Sequence, residues 1–416
     1  MKKDLLHTPE GVRDIYGIEC AEKEQVEKKL HDVLNLYGYS DIQTPTFEFF
    51  DVFSKDKGSV PTTELFKFFD RYGHTLCLRP DMTPSIARSA SKYFDDRSTA
   101  VKLCYVENTF VNDSKYYQGR LKENTMAGAE LIGDDSTDAD AEIVMMTIDC
   151  MKAVGLTEFQ VELGNVQFFR GLLSEAGISG DDAEELKSLI EEKNLFGVEE
   201  LLHAHDIGDA ITDALNALPT LFGSVDVLER AEKMTDIPEC LAAVRRLKDL
   251  YTVLSANGYA DHVSFDLGDL SSHEYYTGII LHAFTFGTGE PVINGGRYDR
   301  LMGQFGSDRA SIGFSVNVDR LLSALQRQKI DIPLKRSGIL LIYGKEDYQA
   351  ALFSASHKRA EGERVCMMRR KAGSETADFL AAADEGQYEW IYVCENGKEQ
   401  HFRAEEIKKG EAGCGI

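Results

Sequence analysis

Apolar and polar residues change period several times along this chain, and each change marks an element. Val26, Leu30, Val33, Leu34 and Tyr37 recur at helical spacing with Glu and Lys between them, which predicts a helix closed by Gly38. Residues 41–46 read as an edge strand or a strand end, because Pro45 has no amide hydrogen to give to an interior ladder. Residues 65–69 and 75–78 flank Asp70-Arg-Tyr-Gly73 and predict a hairpin. A helix is expected from near Ile86, with Thr83 and Pro84 suited to an N-cap and a first helical position.

A second hairpin organises the rest. Residues 102–110 alternate apolar and polar, the period of a half-buried strand, and residues 126–132 are small and apolar, as in a strand deep within a sheet. The loop between them carries Asp113, Lys115, Tyr116, Tyr117, Gln118 and Arg120. One carboxylate, Glu130, interrupts the apolar arm. Burying it without a partner would cost several kcal/mol, so it requires a structural partner or a ligand.

Further on, residues 138–154 predict a helix with Ile143, Met146 and Met151 on its apolar face, and residues 160–163 a short strand. Residues from about 168 to 255 are rich in Leu, Ala, Glu and Lys without a strand pattern, and read as a helical insertion. Strands resume at 263–267 and 278–286. The segment 291–299 then contains Gly295-Gly296, which allow close backbone approach. Residues 311–316 form a small-residue strand leading into a helix with Asp319 and Arg320. Past Pro333 the pattern restarts as strand (339–343), helix (350–360) and strand (390–394), a small α/β domain over 335–416.

Composition narrows the function classes. At 416 residues, more than one domain is expected, and 43% apolar with 28% charged residues is ordinary for a globular protein. No apolar run is long enough for a membrane span, and the N-terminus carries charge where a signal peptide needs an apolar core, so a cytoplasmic protein is expected. The eight cysteines include no Cys-x-x-Cys pair, which argues against a zinc site or a disulfide framework. A net charge of −24, from 70 acidic and 46 basic residues, argues against a nucleic-acid binder, and the densest basic run, Met368-Arg-Arg-Lys371, is short.

Gly11-Val-Arg-Asp, Leu78-Arg-Pro-Asp-Met-Thr-Pro, Gly119-Arg with Gly-Ala-Glu130, Tyr275-Tyr-Thr-Gly278, Gly295-Gly-Arg-Tyr-Asp299 and Gly313-Phe with Asp-Arg320 occur in the order that resembles class II histidyl-tRNA synthetases. The resemblance spans nearly all of residues 1–325. It implies an α/β (α+β) fold of the class II aminoacyl-tRNA synthetase type, an antiparallel sheet with flanking helices over 1–330, interrupted by the helical insertion. It also implies a homodimer, and it relates 335–416 loosely to a reduced anticodon-binding domain.

Departures from the family pattern point to a different function. Where the synthetases carry Phe-Arg-x-Glu, with an Arg on the ATP α-phosphate, this chain reads Phe110-Val111-Asn112-Asp113. Where they place a catalytic Arg beside the histidine carboxylate, it has Ser271. Arg120 and Arg320 remain as motif arginines. Losing one preorganised donor costs roughly 3 kcal/mol or more of transition-state stabilisation, so a chain without two such cations is expected to have no catalytic residues and to be no enzyme. The amino-acid end of the site survives. By the resemblance, Asp81 and Thr83 would bind an α-amino group, Glu130 with Tyr275 or Tyr276 an imidazole, and Gly295, Gly296 and Tyr298 would line the pocket, although Met126 stands where the family has a helpful Gln.

A synthetase-like body with a damaged ATP end, and Asp81 in its Leu-Arg-Pro-Asp-Met-Thr-Pro stretch, resembles the regulatory subunits of ATP phosphoribosyltransferase. That resemblance implies partnership with the short-form catalytic subunit in a hetero-oligomer, L-histidine as effector, no tRNA, no metal and no cofactor, in the first step of histidine biosynthesis. The alternatives are an active histidyl-tRNA synthetase, which would require Arg at 111 and 271, and a free-standing histidine-sensing paralogue.

Overall fold

A computed structural model describes residues 6–54, 60–94, 99–112, 121–205, 207–270, 275–306, 308–371, 374 and 376–405. The chain divides into two compact units, Met1–Arg13 with Val26–Asp331, and Asp14–Gln25 with Ile332–Ile416.

The larger unit is built on a nine-stranded sheet. In spatial order its strands are Ser40–Asp41, Val101–Phe110, Glu123–Ile132, Ser311–Asn317, Ile293–Arg297, Ile279–Thr285, Phe159–Asn165, Val263–Asp266 and Phe222–Gly223. The six strands from 101–110 through 159–165 pair antiparallel, and parallel pairings join Ser40–Asp41 and Val263–Asp266 to the two ends of that block. The antiparallel sheet expected from the family resemblance is therefore the centre of a mixed sheet. The helices Thr137–Ala153 and Val166–Ala176 are set by side-chain caps, Ser136 accepting from the Ala139 amide and Asn165 from that of Gln167.

The central hairpin runs the full length of both arms, Val101–Phe110 and Glu123–Ile132. Its tip, with Asp113, Lys115, Tyr116, Tyr117, Gln118 and Arg120, lies outside the described residues, as does Ser271. The 65–78 hairpin is present as Lys67–Phe69 against Thr75–Leu78. The Asp70 carboxylate ties its turn by accepting from the Tyr72 and His74 amides, and Phe47–Phe49 adds a third strand. This small sheet exposes Phe47, Phe49, Phe68, Phe69 and Tyr72.

Three expectations require correction. The helix expected near Ile86 begins at Thr83, and Thr83 does not cap it: the N-cap is Met82, and the Thr83 amide leans on the Asp81 carboxylate at 3.3 Å. The described residues of the 168–255 stretch form six helices, from Val166–Ala176 to Pro238–Ala256, yet Phe222–Gly223 leaves them to pair with Val263–Asp266 at the sheet edge. Tyr37 lies beyond the helix Gly17–Leu36, and its hydroxyl donates to Asp149 at 2.7 Å.

The smaller unit holds a four-stranded sheet ordered Val365–Arg369, Ile339–Tyr343, Trp390–Glu395 and Lys398–Arg403. The first three strands are parallel and the last antiparallel. Ala351 and Ala355 of the helix Tyr348–Ala360 pack on one face, and the other face is covered by residues including Ala383 and Tyr388.

Candidate functional site

Glu130 lies on the central hairpin, paired with Leu103 on one side and with Gly313 on the other. A Cβ at Gly313 would stand 1.7 Å from Glu130 Oε2, so this position tolerates only glycine while the carboxylate keeps its place. The carboxylate is 1% exposed, and its described partners are hydroxyls rather than a cation. Tyr298 Oη donates to Oε2 at 2.5 Å and Thr83 Oγ1 donates to Oε1 at 2.7 Å. Burial raises the Glu130 carboxyl to about 8; the two hydroxyl donors oppose that rise, and the nearby Asp81 carboxylate adds to it.

The loop 79–82 that carries Asp81 is pinned by a buried arginine. Arg79 donates to the carbonyls of Asn108 and Thr44, each at 2.7 Å, and pairs with Glu107 at 2.6 Å. Its own backbone is tied to Thr46 and Phe110. Asp81 then spans two elements, taking the Thr83 amide on Oδ1 and the Tyr275 hydroxyl on Oδ2 at 3.3 Å. Tyr275 and Tyr276 meet edge to face at 5.0 Å, and Tyr275 meets Tyr298 at 6.1 Å. A Cβ at Gly296 would fall 2.9 Å from the Tyr276 ring, so the paired glycines let this aromatic wall close on the sheet.

These residues enclose a cavity of about 150 Å³ lined by Asp81, Thr83, Tyr275, Tyr276, Gly295, Gly296 and Tyr298. Glu130 stands behind it, reached through Thr83 and Tyr298. All eight residues singled out in the sequence thus converge on one place. Met126, noted in the sequence at this site, is in the lining, and the structure adds Pro80, Met82, Thr109, Asn294, Gly313, Phe314 and Ser315. Asn294 and Ser315 are adjacent in the ladder, and Ser315 pairs with Gly128, which pairs with Tyr105. Only that register reveals them; the Asn beside Gly295-Gly296 was the one local hint. The Asn294 Oδ1 meets His282 Nδ1 at 2.7 Å, and the far nitrogen of His282 meets Asp269 at 3.1 Å.

Among the described lining residues the only charged one is Asp81, and none is Lys or Arg. With Glu130 ionised, Thr83 and Tyr298 spend their hydrogens on it and turn lone pairs toward the cavity. Tyr275 does the same through Asp81. In that state these residues offer acceptors and suit a ligand with N–H donors and positive charge. Arg320 is engaged elsewhere, pairing with Glu290 at 2.5 Å and donating to the Pro291 carbonyl. At position 111 the backbone amide bonds Lys122 at 2.8 Å, and the valine side chain offers no charge for a phosphate.

A family model described as Histidyl-tRNA synthetase matches residues 11–321. The ATP phosphoribosyltransferase regulatory subunit of Acetivibrio thermocellus is 38% identical over 380 residues, covering 91% of this chain and 90% of that protein. This chain belongs to that family of regulatory subunits, on the histidyl-tRNA synthetase fold. The regulatory subunit of Ruminiclostridium cellulolyticum is 36% identical over 399 residues, 96% of this chain and 94% of the relative. A solved ATP phosphoribosyltransferase regulatory subunit/histidyl-tRNA synthetase from Bacillus halodurans superposes with a TM-score of 0.80 at 29% identity, covering 94% of this chain and 98% of that one.

A buried ionic network supports the strand that leads into Tyr298. Asp140, fully buried, accepts from Arg297 Nη2 at 2.6 Å and Nε at 3.0 Å, and from Arg246 Nε at 2.6 Å. Burial alone would lower the Arg297 guanidinium, but the Asp140 carboxylate outweighs it and holds the group above its usual value. Arg297 and Arg246 border a second cavity of about 510 Å³, lined also by Arg245, Glu239, Asp249 and Asp299, in which both signs of charge are represented.

One trio of metal-ligating types occurs among the described residues, His31, Asp41 and Cys104, with ligand atoms within 4.8 Å of one another. They are already hydrogen-bonded together, His31 to Asp41 at 2.6 Å and Cys104 to Asp41 at 3.5 Å. No described helix is long and apolar enough to cross a membrane.

Proposed function

We propose that this chain is a non-catalytic regulatory subunit of ATP phosphoribosyltransferase, which activates the short-form catalytic subunit and conveys L-histidine feedback in the first step of histidine biosynthesis. The observation that carries this reading is the asymmetry of the synthetase-like site. Its amino-acid end is assembled around Asp81 and Glu130, while Val111 and Ser271 stand where the family's ATP- and carboxylate-binding arginines would be. A pocket of about 150 Å³ fits one small cationic amino acid, and imidazole and ammonium N–H groups match its hydroxyls and carboxylates. Without two transition-state cations, a bound histidine would be sensed rather than adenylated.

Sensing requires that histidine bind two states of the assembly with different affinity; typical couplings of ~1–3 kcal/mol correspond to several-fold to about hundredfold changes. The names of the relatives support the partnership with a catalytic subunit. The exposed aromatics of the small sheet supply an apolar surface for self-association as a dimer. Residues 335–416 are read as a reduced anticodon-type domain retained without tRNA.

The test is reconstitution. Formation of phosphoribosyl-ATP by the short catalytic subunit should rise on adding this chain and become inhibitable by L-histidine, and the chain alone should support neither this reaction nor histidine-dependent pyrophosphate exchange. A short subunit equally active and equally histidine-sensitive without the chain would refute the regulatory reading, and robust exchange by the chain alone would restore the synthetase one.

A further inference from the structure

The Glu130 carboxyl can hold its two hydroxyl partners in two ways. Ionised, it accepts from both Tyr298 and Thr83, and both hydroxyls present lone pairs to the cavity. Protonated, it must donate its own hydrogen to one of them, and that hydroxyl then turns its hydrogen elsewhere. The face these two hydroxyls present changes from acceptor to mixed with the gain of a single proton. We propose that a cationic amino-acid effector binds this pocket with release of the Glu130 proton to solvent, so that one buried carboxyl links effector affinity to pH. This inference rests on the reading of the pocket as the effector site, and it adds the proton as a second input to that site.

The surroundings of Glu130 favour the neutral form until a cation arrives. Thr83 and, just before it, Asp81 face it from the start of the helix Thr83–Tyr93, Tyr105 from the neighbouring hairpin arm, and Tyr298 from the end of the strand Ile293–Arg297. Tyr275 and Tyr276 close the other side, and Tyr39 lies within its electrostatic reach. Burial, joined by these carboxylates, pushes the phenols of Tyr105, Tyr275, Tyr276 and Tyr298 upward, so they stay neutral. Tyr39 stays neutral for the same first reason, with Glu142 adding to it. Asp81 is then the nearest other charge, and it is negative. With the carboxyl raised to about 8, Glu130 carries its proton at neutral pH in the empty pocket. The incoming α-ammonium, already charged over this pH range, supplies the missing countercharge. One positive charge arrives at Glu130 as one proton leaves it, so the charge at that contact is unchanged.

The experiment is calorimetric titration of the full chain with L-histidine in buffers of different ionisation enthalpy, for wild type and Glu130→Gln. The Gln side chain keeps the shape and cannot ionise, so it subtracts any protons the ligand itself exchanges. At about pH 7 wild type should release most of one proton more than the variant. Its affinity should rise by up to about tenfold per pH unit until it levels off near pH 8. If Glu130→Gln fails to bind, the wild-type count decides: release should fall between about pH 7 and pH 8.5 as the free carboxyl ionises, and an unchanged count overturns the inference. Binding with equal proton exchange in both proteins also overturns it and leaves the effector site standing. No binding of L-histidine by wild type overturns both.

Discussion

Replacing Asp140 by alanine should destabilise the larger unit from within. Asp140 is fully buried, and three donors from Arg297 and Arg246 point at it between 2.6 and 3.0 Å. Arg246 has a quarter or more of its side chain in solvent and can rehydrate, so its loss costs little. The Arg297 side chain is 4% exposed; without Asp140 it keeps only the Asp134 carbonyl at 3.0 Å and Asp299 at 3.3 Å. Removing one partner of a buried pair costs about 3–5 kcal/mol, and Asp299, partly exposed at 3.3 Å, offsets only part of that. Urea unfolding followed by circular dichroism should show that loss in Asp140→Ala. The double variant Asp140→Ala/Arg297→Met, which removes the stranded charge as well, should recover part of it. Because Arg297 immediately precedes Tyr298, the single variant should also bind L-histidine more weakly. A single variant within about 1 kcal/mol of wild type, or a double variant whose loss equals the sum of the two singles, would refute the assignment of Asp140 as the counterion that holds Arg297 in place.

Gly313→Ala would put a methyl group 1.7 Å from Glu130 Oε2 and 2.6 Å from the Ala129 carbonyl, so it should lower stability by about 1–3 kcal/mol in thermal melts and weaken histidine binding in titration. Stability should fall as pH rises: Glu130 and Glu162, raised by burial to about 8 and about 7, contribute most below the unfolded carboxyl value and lose that contribution as pH climbs through the folded ones. The difference in melting temperature between about pH 6 and pH 9 should accordingly narrow in Glu130→Gln. Phe49 and Phe69, 55% and 72% exposed, offer a test of self-association: Phe49→Asp/Phe69→Asp should sediment as a monomer while the wild type does not, and an unchanged profile would move the interface elsewhere.

Where local pattern governs structure, the sequence was legible. Alternation over 102–110 and the small apolar run to Ile132 identified the central hairpin, and Glu130 stood out because a carboxylate in such a run must be answered by something. Elsewhere local chemistry misled. Thr83-Pro84 reads as a helix cap, yet the Thr83 hydroxyl is claimed by Glu130, 47 residues away, and Asp81 receives the amide instead. Phe222–Gly223 has no strand pattern of its own and becomes a strand because Val263–Asp266 offers it an edge. The strand Val365–Arg369 went unread for a similar reason: Val-Cys-Met-Met-Arg carries no alternation, and its partner Ile339–Tyr343 creates it.

The sequence by itself determined which side chains are available: carboxylates and hydroxyls at Asp81, Thr83, Glu130 and the tyrosines, and no arginine at 111 or 271. Those are facts of residue identity, and no folding can supply a missing guanidinium. Only the tertiary structure decided how the residues act. It set Glu130 behind the pocket rather than in its wall, gave it hydroxyl partners, brought Asn294 and Ser315 alongside through strand register, and fixed Arg297 on Asp140 across 157 residues. Periodicity reports which face of an element is buried, whereas partners are chosen by pairings between distant segments, and a carboxylate's charge depends on what those pairings place around it.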